Sequence, residues 1–195
     1  METIRSFIAI ELPGELVSRF EEVLREFRRT EADVKWIRPE AIHLTLKFLG
    51  SIRPEAVEKI SRALAPVVAS REPFEVGVQG VGCFPSLRNP RVVWVGVDRG
   101  KDRLVSLQQE VEEKMAGLSF PAEGRPFTPH LTLGRVRSSR GKADLSRAVE
   151  SRKGLEWGKF QAREVILFRS ELKPSGAVYS KLKKFPLGKQ ERINP

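Results

Sequence analysis

The chain repeats itself at an interval of 87 residues. That offset carries His43-Leu44-Thr45-Leu46 onto His130-Leu131-Thr132-Leu133, and with them Ile8 onto Val95, Ile10 onto Val97, Val17 onto Leu104, Phe20 onto Leu107 and Leu24 onto Val111. Self-similarity at a fixed interval marks a degenerate internal duplication. The simplest fold for such a chain is a single domain over residues 1–195 built of two related lobes. Their HLTL strands would face each other across a pseudo-twofold axis, and a cleft on that axis would be lined symmetrically.

The pattern within each unit is strand, helix, strand. Ile4 to Leu12 alternates and is rich in β-formers. Pro13 then opens PGELVSRFEEVLREFRR, whose apolar Val17, Phe20, Val23, Leu24 and Phe27 recur at three and four, as on one face of a helix. VKWIRP is a short extended piece, and IHLTLKFLG is a strand ending at Gly50. A second helix starts at Pro54, with Val57, Ile60, Leu64, Val67 and Val68 on one face and Pro66 expected to kink or fray its end. FEVGVQG reads as a strand, and GCFPSLRNP, full of turn formers, as a loop or irregular hairpin. RVVWVGVD is a strand, Lys101 to Leu118 a helix, and the polar SFPAEGRPFTP leads to the strand HLTLGRVR. Leu145, Ala148 and Val149 suggest a short helix, after which REVILFRSEL and AVYSKLKKF form a hairpin around Lys-Pro-Ser-Gly. Strands alternating with helices of some 15 residues place the chain among α/β or α+β folds.

On a strand, successive side chains point to opposite faces. His43 and Thr45 therefore share one face and Leu44 and Leu46 the other, and His130, Thr132, Leu131 and Leu133 divide in the same way. These are the only two histidines of the chain. An imidazole exchanges a proton near neutrality, and a threonine hydroxyl donates to an anionic oxygen. Two such pairs facing each other supply one base, one acid and two neutral donors, a set suited to displacement at phosphorus. The competing explanation is a structural histidine copied by duplication without regard to use.

Other chemistries find less support. No HExxH or CxxC accompanies the two distant histidines, so no metal is expected. Cys83 stands alone in a GCFP loop that does not suggest a nucleophile. Neither GxxxxGK[ST] nor GxGxxG is present, and no cofactor is expected. A single cysteine forms no intramolecular disulfide, which points to a buried apolar Cys83 and a reducing cytoplasm. The N-terminal METIRSFIAIELPGEL is broken by Glu11 and Pro13, unlike a signal peptide, and no run approaches the roughly 20 apolar residues of a membrane span, so no membrane partner is expected. Lys and Arg number 35 against 25 Asp and Glu, for a net charge of +10. That excess favours anionic partners, nucleic acid first.

The paired motifs, with WIRPEAIHLTLKFLG around the first and FTPHLTLGRVR around the second, resemble the 2H phosphoesterase superfamily, and within it the RNA 2′,3′-cyclic phosphodiesterases also described as 2′-5′ RNA ligases. The likeness extends to the opening FIAIELP, the RVVWVGV strand and the closing hairpin, and so covers nearly the whole chain. It implies a bilobal α/β fold of antiparallel-rich sheet and helices, with the motifs lining a central cleft. It also implies metal-independent hydrolysis of a 2′,3′-cyclic phosphate at an RNA 3′ end to a 2′-phosphomonoester. By the same analogy His43 is the proton donor to the leaving 3′ oxygen, His130 the proton acceptor from water, and Thr45 and Thr132 hold the non-bridging oxygens. The reverse reaction joins a 5′-hydroxyl end through a 2′-5′ bond.

Further binding residues are candidates with open alternatives. Arg135 matches an arginine the family often carries and suits bidentate phosphate binding, but strict alternation puts it on the leucine face, so the role requires a bulge or the strand's end near Gly134. Lys47 shares the His43 face if the strand continues, or is simply solvated. Arg91 either reaches an RNA phosphate or marks a strand end. Phe7 and Phe48 are candidates to stack on the terminal base, with the core as the alternative, and Trp36, Trp94 and Trp157 are assigned to packing. The partner expected is an RNA 3′ end or a cyclic-phosphate nucleotide, met by a monomer. Two other functions stay open: a non-catalytic RNA-end binder, and a phosphodiesterase of small cyclic nucleotides or ADP-ribose cyclic phosphates.

Overall fold

In the computed structural model, residues 2–174 and 176–188 are described. Strand β1 (Ile4–Glu11) leads through Pro13 into helix α1 (Gly14–Arg28). Phe20, Val23, Leu24 and Phe27 of α1 are buried as its spacing predicts, but the stripe begins with buried Leu16 and leaves Val17 half-buried. Strand β2 (Val34–Trp36) and a 3-10 turn at Pro39–Ala41 lead to β3 (His43–Ile52). Helix α2 (Ala56–Ala69) runs on past Pro66 to its end, because that proline is solvent-exposed and only three residues follow it in the helix.

Strands β4 (Phe74–Ser86) and β5 (Asn89–Val97) form a hairpin in which Ser86 faces Asn89 across Leu87 and Arg88. The stretch GCFPSLRNP is therefore the irregular hairpin of the two alternatives and not the loop. Its irregularity is confined to a register shift between Phe84 and Pro85, where Pro85 opposes Pro90 and neither has an N–H to give to the ladder. Helix α3 (Lys101–Gly117) buries Leu104, Leu107, Val111 and Met115, and β6 (His130–Val136) carries the second tetrapeptide. After α4 (Lys142–Glu150) comes β7 (Glu156–Ala162), a strand not anticipated from the sequence, and then the closing hairpin of β8 (Glu164–Lys173) and β9 (Gly176–Pro186).

The strands form one antiparallel sheet in the order β7-β4-β5-β6-β3-β1-β8-β9, with β2 also beside β6. The result is the mixed α/β architecture expected, with helices gathered on one face. That face holds the main core, in which Phe20 and Leu24 of α1 and Leu104, Leu107 and Val111 of α3 pack with Leu44, Leu131, Val93 and Val95 of the sheet. Burying each such side chain stabilises the fold by about 1.5–3 kcal/mol. The opposite face carries a small cluster, Phe7, Ala9, Ile166 and Phe168, with Tyr179 packed against it. Among the described residues no helix is long and apolar enough to cross a membrane.

The 87-residue offset holds for the helices, where buried Phe20 and Leu24 match buried Leu107 and Val111. It fails by two residues on the adjoining strands. Ile10 lies opposite Leu44, and it is Val95, not Val97, that lies opposite Leu131.

Candidate active site

The two motif strands meet at the centre of the sheet in one residue pair, Leu44 opposite Leu131. Directly opposed residues of antiparallel strands point to the same face, and both leucines are fully buried toward the helices. Their neighbours in sequence point the other way. His43 is thus brought beside Thr132, and Thr45 beside His130, on the helix-free face and symmetrically about the leucine bridge. All four are half-buried.

Both histidines are oriented by the same device. His43 Nδ1 lies 2.8 Å from the carbonyl oxygen of Ala41, and His130 Nδ1 lies 2.7 Å from that of Thr128, in each case two residues upstream. A carbonyl only accepts, so each Nδ1 carries the hydrogen and donates it. Each Nε2 is then the atom left to take or give a proton, and among the described residues neither makes a hydrogen bond. The rings are also wedged by aromatics. Phe7 stacks on His43 at 4.5 Å and Tyr179 meets its edge at 5.2 Å, while Phe84 stands edge-on to His130 at 5.1 Å.

This packing sets the charge state. Burial pushes His43 down from the usual 6.5 to about 4, against the opposing pull of the Ala41 carbonyl. Burial likewise lowers His130; the Thr128 carbonyl opposes the shift and the charge of Arg135 adds to it. Burial raises the Tyr179 phenol, and the charges of Arg135, Arg5 and Arg38 pull it back. Arg135 is therefore within electrostatic reach of His130 on one side and, on the other, of the tyrosine that touches His43.

Arg135 reaches that position because the strand bulges. Thr132 opposes Trp94 and Gly134 opposes Val93, which leaves Leu133 as an extra residue. Parity reverses beyond it, and Arg135 comes out exposed on the histidine face. The first motif does the same at the same place. Ala9 opposes Thr45 and Ile8 opposes Lys47, so Leu46 is the extra residue. Here the reversal moves two predicted residues in opposite directions. Phe48, 54% exposed, is carried to the histidine face, with its ring 6.2 Å from that of Phe7.

Lys47 is carried away from that face, so it neither shares the side of His43 nor is solvated. It is 2% exposed on the helix side, where Nζ donates to Glu112 of α3 at 2.6 Å and to the carbonyl of Pro121 at 2.5 Å. Glu112 also accepts from the backbone N–H of Glu123 at 2.8 Å. The lysine is thus part of a clamp on the connection that leads into His130.

Other candidates are corrected in part. Phe7 is 3% exposed and sandwiched between His43 and Phe168, so it is a wall of the site and not a stacking surface. Arg91 stands apart from the histidines, in a depression it shares with Arg137 and Lys142. Trp157 packs in the core with Nε1 donating to the carbonyl of Gly80, and Trp36 packs on Phe27. Trp94 lies on the histidine face beside Phe84, its indole against Gly82, where a Cβ would come within 2.4 Å of the ring. Cys83 is buried and its thiol is pushed up to about 11 by that burial, which leaves it inert at neutral pH.

Tyr179, Phe84, Phe168, Arg5 and Arg38 were not singled out from sequence. Tyr179, the only tyrosine of the chain, was the most discoverable of them. Among the described residues no three His, Cys, Asp or Glu side chains converge as a metal site would require. A separate depression of about 620 Å³ at the start of α3 is lined by Glu75, Asp98 and Arg99, but Glu75 is already paired with Arg99 and Lys159.

Comparison with known proteins places these features in a family. Residues 15–174 match the 2′-5′ RNA ligase superfamily. A protein of Methanothermobacter thermautotrophicus named RNA 2′,3′-cyclic phosphodiesterase is 34% identical over 187 residues, which cover 94% of this chain and 99% of that one. A protein of the same name from Thermus thermophilus is 37% identical, over 94% of this chain and 90% of that one. The crystal structure of E. coli LigT complexed with NADP+ superposes with a TM-score of 0.78 at 27% identity, covering 97% of this chain and all of the other.

Proposed function

Because the chain belongs to the 2′-5′ RNA ligase superfamily, we propose that it hydrolyses the 2′,3′-cyclic phosphate at an RNA 3′ end, with its two histidines as acid and base. Water attacks phosphorus as His130 Nε2 takes its proton, a new P–O bond forms, and the bond from phosphorus to the 3′ oxygen breaks. His43 Nε2–H delivers a proton to that oxygen, which leaves a 3′-hydroxyl and a 2′-phosphomonoester. Thr45 and Thr132 donate to the non-bridging oxygens, and Arg135 balances their charge. Run backwards with a 5′-hydroxyl in place of water, the same groups exchange roles and make a 2′-5′ bond.

The observation that carries this reading is the matched setting of the two rings. Each has its Nδ1 engaged by a carbonyl and its Nε2 free, and the two stand on the same face about one leucine bridge. A merely structural histidine has no need of a free nitrogen. NADP+, named in the E. coli LigT complex, carries a ribose 2′-phosphate, the same chemical group as the product proposed.

The low value of His43 sets a condition on the mechanism. An imidazole at about 4 is neutral at pH 7 in the free protein, so its proton must arrive with the substrate, whose phosphate anion favours imidazolium. We place the reaction in the cytoplasm, where a lone thiol stays reduced.

The test is incubation with an RNA bearing a 2′,3′-cyclic end, followed by identification of the monoester formed. A 2′-phosphate is expected, and His43→Ala or His130→Ala should each lower kcat by about 10²–10⁴-fold without unfolding the protein. Formation of the 3′-monoester, or full activity in either variant, would overturn the assignment.

A further inference from the structure

Beyond the far end of β6 lies a depression of about 310 Å³, within the size range of small-molecule pockets. Its walls are the start of β5, with Asn89, Pro90 and Arg91, and the turn from β6 into α4, with Arg137, Ser138, Ser139 and Lys142. Among the described residues none of its three cations has a carboxylate within ion-pairing distance. Asp144, in the first turn of α4, is engaged by Arg147. Asp33 meets Arg137 through its backbone carbonyl, and its carboxylate closes on none of the three. Uncompensated cations with hydroxyls between them in a concave setting suit a phosphate.

Position supplies the rest of the argument. Arg137 is seven residues beyond His130, about 23 Å of extended chain at 3.3 Å per residue. Arg135 stands between them, exposed and within reach of His130. The basic side chains thus make a track that leads away from the histidines, longer than one nucleotide.

We propose that this depression is a second phosphate-binding site, which takes a backbone phosphate of the RNA strand upstream of its cyclic 3′ end and so selects oligonucleotides over mononucleotides. The inference rests on the RNA-end reading above and adds the part of the substrate that the histidines do not touch. Each phosphate neutralised there releases counterions and steepens the salt dependence of binding by about 0.7 in log–log slope for a single strand.

The test compares the wild type with the double variant Arg137→Gln/Lys142→Gln on an RNA decamer and on a mononucleotide, both ending in a 2′,3′-cyclic phosphate. Anisotropy of a labelled decamer ending in a 2′-phosphate gives binding independently of turnover. The variant should lose roughly tenfold in kcat/KM on the decamer, through KM, with a shallower salt slope in the anisotropy and no change on the mononucleotide. Equal losses on both substrates, or an unchanged decamer, would overturn the proposal. A wild type that turns over neither substrate refutes the hydrolase reading instead, and the anisotropy then decides on the depression by itself.

Discussion

At the scale of single residues, the environment of each imidazole is more informative than its identity. Both rings are lowered by burial, His43 to about 4, although the proposed chemistry needs one charged and one neutral. For the free enzyme, kcat/KM follows a bell whose limbs are the two histidine values, whichever ring is the acid. Since both lie below 6.5, the kcat/KM maximum should fall below pH 6.5. The kcat profile should sit at higher pH, because the bound anion raises both values. A kcat/KM maximum above pH 7 would show that other groups control the rate. Arg135 offers a sharper probe. Its charge lowers His130, so Arg135→Gln should raise the His130 titration midpoint while leaving His43 in place. With two histidines in the chain, two imidazole resonances followed by NMR against pH suffice to check it.

At the scale of the elements, the fourth residue of each tetrapeptide decides which side chains reach the site. Leu46 and Leu133 are both bulged. The faces of the residues that follow directly, Lys47 and Phe48 in the first strand and Arg135 in the second, are reversed, until a further shift at Leu49 restores the phase of β3. The consequence for Lys47 is a structural role in place of a substrate contact. Lys47→Ala leaves Glu112 and the Pro121 carbonyl without their buried partner, and should cost about 3 kcal/mol of stability. Chemical denaturation measures this directly. A phosphate-binding lysine would instead leave stability unchanged and raise KM. These bulges mark the limit of what the sequence makes legible. Period-two reasoning places His43, Thr45, His130 and Thr132 on one face because each bulge comes only after the threonine and leaves the three residues from His to Thr in phase. It misplaces Lys47 and fails to choose for Arg135, because a bulge depends on how the partner strand pairs and leaves no local signature. The strand β7 was hidden for the same reason. Val78 opposes Gly158 and Gln79 opposes Glu156, so Trp157 is bulged, and the buried residues Trp157, Phe160 and Ala162 show no strict alternation. Helices suffered less, since most of each buried stripe follows from the chain's own spacing; only the stripe margins differ, where Val17, Val57, Leu118 and Ala148 are half-buried and Leu16 is buried.

At the scale of the whole molecule, the site exists only where the two motif strands touch. β1 and β3 pair over eight positions and β5 and β6 over five, whereas β3 and β6 pair only at Leu44 and Leu131. The relative placement of the histidines therefore depends on this bridge more than on any other contact of the sheet. Leu131 and Leu167 are both fully buried leucines of the main core, and truncating either to alanine should cost about 3 kcal/mol through lost transfer energy and the cavity left behind. Stability alone would not distinguish the two variants. Activity should, because Leu131→Ala loosens the seam across which His43 and His130 cooperate, while Leu167→Ala opens a cavity in β8, away from it. Measured well below both melting temperatures on a 2′,3′-cyclic mononucleotide, kcat should fall at least tenfold more in Leu131→Ala than in Leu167→Ala, in keeping with the steep dependence of acid-base catalysis on placement. Equal kcat values in two equally destabilised variants would mean that the histidines are held in register by the rest of the sheet and not by the leucine bridge.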